Sequence, residues 1–321
     1  MQVTVSKIIA VTGITGHTGG FLLKEFIRNH FEECLRCLVR PSSNTFDLDH
    51  SGLNVEKVVG SVEDEEILAS LVRGTDVVFH IVGIRFSNLL TKVALREKVK
   101  RLILVHTTGV FSKYKTAVGD YKRIESELFQ MTDGKDLDLT ILRPTMIFGD
   151  LCDLNISKFI RLVDCFPIMP EIDRGCGKLQ PVNARDLGRA YYHVIQTDRL
   201  PQRDYILSGE CPLSMHELFV WIGRYLDKNV RFLNCPMPIG VFLARMTKCF
   251  TLGKIDKVEQ VLRMGEDRIF SHEAASRDLD YRPESFKEGL KREVEAYLQL
   301  PRSERSLWHC VRNTFFKKDP Y

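Results

Sequence analysis

Three evenly spaced glycines, Gly13, Gly16 and Gly19 in "VTGITGHTGG", follow the short apolar run "KIIAV". Gly13 suits a tight turn, Gly16 leaves no side chain in the path of a pyrophosphate, and Gly19 lets a following helix pack closely on the strand. The unpaired amides and partial positive charge of a helix N-terminus complete an anion cradle from Thr12 to Gly19, with Thr15, His17 and Thr18 along it. His17 is expected beside phosphate or facing solvent. The spacing is G-x-x-G-x-x-G, and its place between strand and helix, more than the glycines themselves, marks a dinucleotide site. A second apolar run, "LRCLVR", ends in Arg40, followed by Ser42 and Ser43. An acid there would accept the ribose hydroxyls of NAD, whereas a guanidinium with neighbouring hydroxyls suits the 2′-phosphate of NADP. NADP(H) is therefore favoured, with NAD(H) as the other choice.

The elements that must position these residues follow in regular alternation. Strands are expected over 7–12, 35–40, 55–60, 76–83, 101–108 and 139–149, and helices over 19–30, 63–74, 88–99 and 121–131. Apolar strands alternating with helices imply an α/β fold, a doubly wound parallel sheet covered on both faces by right-handed crossovers. After Gly149 the pattern turns irregular. A loop and helix span 180–196 with Asp186 as an expected helix cap, a short strand 204–209, and helices 212–226 and 286–300. Ser214 with Glu217 three residues on reads as a capping box. Residues 1–149, with 178–208 returning to the sheet, are expected to form the dinucleotide domain. Residues 150–177 and 209–321 would form a smaller C-terminal substrate lobe and tail.

These segments, in this order, resemble the extended and atypical short-chain dehydrogenase/reductases, a Rossmann superfamily rich in nucleotide-sugar epimerases and dehydratases. "TGITGHTG" is similar to their TGxxGxxG fingerprint, "VVFHIVG" to the fourth-strand segment, "LILVHTTGVFS" to the fifth, and "TILRPTMIFGD" to the RPxxxYG loop. "QPVNARDLGRA" and "YRPESFKEGLKREVEAYL" resemble the later helix start and the C-terminal helix. The resemblance implies that Val82, at the end of the fourth strand, and Pro144 border the cofactor. It also implies an adenine contact at Ser61, where relatives carry the first acid of a D-x-x-D loop whose second is Asp64.

Relatives carry a Tyr and Lys spaced Y-x-x-x-K on the helix after the fifth strand, one turn apart and so on one face. None of the nine tyrosines here has a lysine four residues later. Three readings stay open. Lys122 holds the nicotinamide ribose while Tyr114 or Tyr121 supplies the proton; or Lys122 or Lys115 is itself the acid/base; or the site binds cofactor without turnover, as a sensor or scaffold. Thr107 or Thr108 takes the place of the Ser/Thr that hydrogen-bonds substrate in relatives. The implied activity is an NADP(H)-dependent oxidoreductase or epimerase/dehydratase acting on a carbonyl or hydroxyl carbon, a nucleotide sugar being one candidate. Only about 20 residues separate His80 from the fifth strand, which shortens the wall over the nicotinamide and favours a more open pocket. His80 and His106 read as packed, structural histidines.

Composition narrows the classes further. The 321 residues carry a net charge of +4, without the concentrated basic stripe that nucleic acid calls for. No apolar stretch nears the roughly 20 residues of a membrane span, and the N-terminus lacks the pattern of a signal peptide. Neither nucleic acid nor membrane is expected as a partner, and the setting is expected to be cytoplasmic. Nine cysteines then read as reduced thiols, including the lone pair in "CLRC", which lies in a strand. Isolated histidines leave no metal constellation. The last twenty residues scatter Lys and Arg and fit a loose extension or an oligomer contact, such as a homodimer's.

Overall fold

The computed structural model describes residues 7–153, 155–166, 168–251 and 256–305; the N-terminal hexapeptide and most of the basic tail lie outside them. Its centre is a seven-stranded parallel sheet. Six strands come from the first half: β1 (Ile8–Thr12), β2 (Cys34–Val39), β3 (Val55–Val59), β4 (Val77–His80), β5 (Arg101–Val105) and β6 (Asp138–Pro144). The seventh, Asp204–Leu207, comes from the second half and pairs with β6 at the edge, so the order is Asp204–Leu207, β6, β5, β4, β1, β2, β3. Period-two alternation divides the core. Ile9 and Val11 face one layer, whereas Ala10 joins Leu68, Leu71, Leu90 and Leu128 in the other.

The second layer is built by α3 (Glu65–Val72), α4 (Ser87–Arg96) and α5 (Val118–Thr132), which follow α1 (His17–Arg28) and the short α2 (Phe46–Asp49). Beyond β6 the chain adds α6 (Ile156–Cys165), α7 (Ala184–Gln196), α8 (Met215–Tyr225), α9 (Met237–Phe250), α10 (Val258–Met264), α11 (Glu273–Leu279) and α12 (Phe286–Leu298). α7 packs on α1 at close range: a Cβ on Gly188 would lie 2.7 Å from that of Phe21. Parts of α6, α8 and α12 enclose a separate core around Ile160, Phe219, Ile222, Leu290 and Tyr297. This is the smaller C-terminal lobe, joined to a doubly wound Rossmann sheet.

Three local expectations need correction. The fifth strand ends at Val105, not at 108, because the Thr107 hydroxyl accepts the amide of Gly109 and turns the chain into a 3-10 segment. Asp186 is not the cap of α7. Asn183 takes that place, accepting from the Arg185 amide at 2.9 Å, while Asp186 pairs with Arg189 and accepts the Glu284 amide. The sixth strand, expected to 149, breaks after Pro144 and resumes only as the pair Ile147–Phe148, bonded to Val182–Asn183. Cys34 and Cys37 lie in β2 as expected, and burial pushes the Cys37 thiol up to about 12, so it remains protonated.

Candidate functional site

All strands of the sheet run parallel, and the order in which they are connected reverses between β1 and β4, the switch point outside whose strand carboxyl ends sheets of this kind bind ligands. Gly13 sits there with φ +80°, where a side chain would be strained and its Cβ would meet Ile81 and Val82 at 3.2 Å. Gly16 is the N-cap of α1. It offers no side-chain cap, and the first turn holds no acid, so the helix start keeps its unpaired amides and positive end. Gly19 has a packing role: its Cβ would lie 2.1 Å from the Gly13 carbonyl oxygen and 2.7 Å from the Ile14 Cα.

The cradle side chains divide. Thr15 and Gly16 are exposed, whereas Thr12 and Thr18 are buried. His80 accepts from the Thr12 hydroxyl at Nδ1 (2.7 Å), because its Nε2 donates to the Gly83 carbonyl. Burial depresses its pKa to about 4, so this histidine is neutral and structural. His17 neither faces open solvent nor points along the cradle. Its Nε2 donates to the Gly149 carbonyl at 2.6 Å and its ring meets the edge of Phe21, with burial lowering its pKa. The bond ties the start of α1 to the loop after β6, where Gly149, Asp150 and Leu151 all have positive φ.

On the β2 side Arg40 is exposed, and among the described residues its guanidinium has no ion pair. Its amide donates to Ser43 Oγ, and Ser42 stands open beside it. Ser61 is exposed and accepts from the Glu63 amide. Asp64 is committed elsewhere, capping α3 through the amides of Glu66 and Ile67.

On the other side, around the end of β5, the structure brings together residues that sequence spacing left apart. The Lys115 ammonium stands 4.9 Å from the centre of the Tyr121 ring. A Cβ on Gly109 would lie 2.9 Å from that ammonium and 3.2 Å from Thr107 Oγ1, so Lys115 stands between the Tyr121 ring and the bare backbone of Gly109 beside Thr107. Thr108 is buried and donates to the Pro144 carbonyl at 3.2 Å. Lys122 is exposed on α5, and Tyr114 is 44% exposed in the approach loop. That loop is clamped from the second lobe. Glu266 accepts from the Ser112 hydroxyl (2.7 Å) and the Lys113 amide (2.6 Å), and Glu259 accepts from both the amide and the hydroxyl of Thr116. Nothing local in the sequence marks Glu259 or Glu266, which act across some 150 residues.

Behind this cluster runs a buried polar chain. Ser87 donates to His106 Nε2 (2.9 Å), His106 Nδ1 donates to Glu125 (2.8 Å), and Arg143 bridges Glu125 and Asp204. Burial lowers the His106 pKa and keeps it neutral. Burial alone would raise Glu125, but hydrogen bonds from His106 and Arg143 hold its carboxyl below the usual range. The order Ser–His–Glu is that of a hydrolase triad, yet Ser87 is fully buried and no substrate could meet it. The chain fixes α5 against β5 and β6. Among the described residues no three His, Cys, Asp or Glu side chains form a metal-holding group.

Residues 13–150 match the family model described as NAD(P)H-binding. Among solved structures the chain is similar to a nucleoside-diphosphate-sugar epimerase from Pseudomonas aeruginosa, with TM-score 0.68, 18% identity, and 91% of this chain and 97% of that one covered. It is likewise similar to the UDP-glucose 4-epimerase of Thermotoga maritima, solved with UDP-glucose (TM-score 0.68, 17% identity, covering 91% and 99%). A third is the UDP-glucuronic acid 4-epimerase of Bacillus cereus, in complex with UDP-glucuronic acid and NAD (TM-score 0.68, 16% identity, covering 92% and 100%). A sequence search of curated proteins found no match.

Proposed function

For a chain that carries an NAD(P)H-binding Rossmann domain in the fold of the epimerase/dehydratase-type short-chain dehydrogenase/reductases, we propose an NADP(H)-dependent oxidoreductase or epimerase. It acts on a carbonyl or hydroxyl carbon, with a nucleotide sugar as the substrate class suggested by the ligands of similar structures. Residues 1–149 with 178–208 serve the cofactor, and 150–177 with 209–321 the substrate. The observation that carries the reading is the approach of Lys115 to the Tyr121 ring and to the Thr107–Gly109 turn after β5, two strands along the sheet from the β1 that leads into the glycine cradle.

The residues present fit the dinucleotide at both ends. Gly16 and the open first turn of α1 would hold the pyrophosphate, and Arg40 with Ser42 the 2′-phosphate, with Ser61 toward the adenine and Val82 and Pro144 along the nicotinamide. When bound, the nicotinamide supplies hydride exchange. The chain's own part is the proton. The Tyr121 phenol exchanges it with the substrate oxygen, the Lys115 cation stands beside that ring, and the Thr107 hydroxyl orients the substrate oxygen. Lys122 and Tyr114, the other sequence candidates, stand exposed at the edge of this cluster, and Thr108 supports β6 from inside.

A second reading is a sensor that binds NADP(H) without turnover, favoured by the absence of any Y-x-x-x-K pair. Titration with NADPH and NADH, followed by NADPH absorbance over a panel of carbonyl compounds and UDP-sugars, with conversion of NAD(P)-loaded protein followed separately, separates the two. Turnover that Tyr121→Phe and Lys115→Met each lower at least about a hundredfold, while dinucleotide affinity changes little, is the expected result. Tight binding with neither consumption nor sugar conversion across the panel would replace the enzyme with the sensor.

A further inference from the structure

The outer helix of the second lobe, α9, is turned inside out for a globular protein. Its packing face is made of its smallest residues: Gly240, whose Cβ would lie 2.7 Å from Ile172 Cδ1, and Ala244 are its only buried positions. Its large apolar side chains point outward, with Ile239 52%, Phe242 59%, Leu243 54%, Met246 37% and Phe250 80% exposed. At about 100° per residue, these five positions fall within an arc of roughly 100°, opposite Gly240 and Ala244. Isolated exposed apolar residues are ordinary, but a continuous stripe along fourteen residues is a surface built to be covered.

The charges around the stripe say by what. Residues 228–255 contain five Lys or Arg and no Asp or Glu. Arg245 borders the stripe on the helix itself and Arg231 is exposed on the strand that leads into it, neither with an ion pair among the described residues, whereas Lys228 pairs with Asp164 and Lys248, on the far side of the helix, with Asp256. A second copy docked on the same face would bring these two arginines toward their own copies, and the next acid along the chain, Asp256, is already held by Lys248. Anionic lipid head groups would neutralise them, while the stripe enters the acyl boundary. We infer that α9 is an in-plane anchor that docks this protein on the surface of an anionic phospholipid bilayer. No helix among the described residues is long and apolar enough to cross a membrane, and an in-plane helix needs no such length. The expectation of no membrane partner rested on span length alone, a criterion blind to this geometry.

Docking in this way has a consequence for the site. Tyr114 and Thr116 of the approach loop line a cleft of about 280 Å³ together with Arg245 and Lys248 of α9. On this docking the loop that bears Lys115 lies across the width of α9 from the bilayer.

The test is co-sedimentation of the full-length protein with vesicles of phosphatidylcholine alone, and of phosphatidylcholine with about a third phosphatidylglycerol. The protein is expected to pellet with the anionic vesicles, less so at high salt, and poorly with the neutral ones. The double variant Phe242→Ser/Phe250→Ser is expected to weaken that partition at least about tenfold, while its thermal midpoint and dinucleotide affinity stay those of the wild type. Arg245→Gln is expected to weaken binding to the anionic vesicles only. Absence of binding to the anionic vesicles overturns the inference, and so does undiminished binding by the double variant. A wild-type dimer in sedimentation velocity that the double variant abolishes, without vesicle binding, would make the occupant a second copy. None of these readouts depends on turnover.

Discussion

Gly16 and Gly19 stand three residues apart on one turn, yet alanine should act on them through different physics. At Gly19 the added Cβ would lie 2.1 Å from the Gly13 carbonyl oxygen and 2.7 and 2.8 Å from Ile14 Cα and C. All three are backbone atoms, and ordinary contact needs roughly 3.4 Å, so either α1 or the turn must move by about 1 Å. Overpacking of that kind costs about 3 kcal/mol. With roughly 2 cal/mol/K of unfolding entropy per residue, a chain of 321 residues unfolding as one unit then loses about 5 °C in Tm. At Gly16 the only neighbour is the Gly13 carbonyl oxygen at 3.2 Å, and φ −83° with ψ 178° suits any residue. The structural cost is that of a poorer N-cap, under about 1 kcal/mol, or about 1 °C. What Gly16→Ala removes is the room for a pyrophosphate. Displacing the phosphate from one charge-assisted amide bond costs about 2 kcal/mol, which is about 30-fold in Kd. Thermal unfolding and isothermal titration with NADPH on both variants should thus give a stable, weakly binding Gly16→Ala and an unstable, non-binding Gly19→Ala. A folded Gly16→Ala that binds within about twofold of the wild type would refute the pyrophosphate position, whatever Gly19→Ala does.

Arg40→Ala should weaken NADPH by about tenfold or more and leave NADH nearly unchanged, because its exposed guanidinium, at the end of β2, has no ion pair among the described residues and would be free for a 2′-phosphate. Equal losses in the two titrations would remove Arg40 from the 2′-phosphate. His80 supplies a pH signature. Its folded pKa of about 4 lies below the ordinary 6.5, so the native protein binds fewer protons than the unfolded chain within that window. The stability it contributes is complete above pH 6.5 and is lost as the pH falls toward 4, by about 3 kcal/mol in all. His80→Gln keeps an acceptor for Thr12 and a donor for Gly83 but cannot titrate, so denaturant unfolding of the two proteins should diverge across this window; parallel curves would rule out the buried neutral imidazole.

The sheet was legible in the sequence because its signals are local. "KIIAV", "DVVFHIVG" and "RLILVHTT" are apolar runs that can only be buried between helices, and the glycines between β1 and α1 carry their own geometry. Element ends were less so, since Thr107 stops β5 through a bond from its own side chain that competes with the ladder. What the sequence hid was set by distant partners. His17 closes on Gly149, 132 residues away, and the Lys115 loop is held by Glu259 and Glu266 from the other lobe. No spacing rule reaches across such separations, and Lys115 gains its place beside Tyr121 only once that loop is clamped.

The departure from the Tyr–Lys pair of relatives can be placed on the helix itself. Glu125 is drawn inward by His106 and Arg143, which fixes the rotation of α5. One and two turns earlier on that face stand Tyr121, half-buried, and Ala117 at the N-cap, four residues apart as the missing pair would be. A lysine at 121 would need a tyrosine at 117, and the chain has neither. Instead a cation arrives from outside the helix, in the loop, and meets the ring of Tyr121. On the proposed assignment a phenol and an ammonium are paired with their order along the chain reversed, Lys115 before Tyr121. Because that loop is held by Glu259 and Glu266 of the second lobe, and the cradle by β1 and α1, the proposed proton transfer and dinucleotide binding would rest on separate supports. Loosening the clamp should therefore reach the chemistry before it reaches the cofactor.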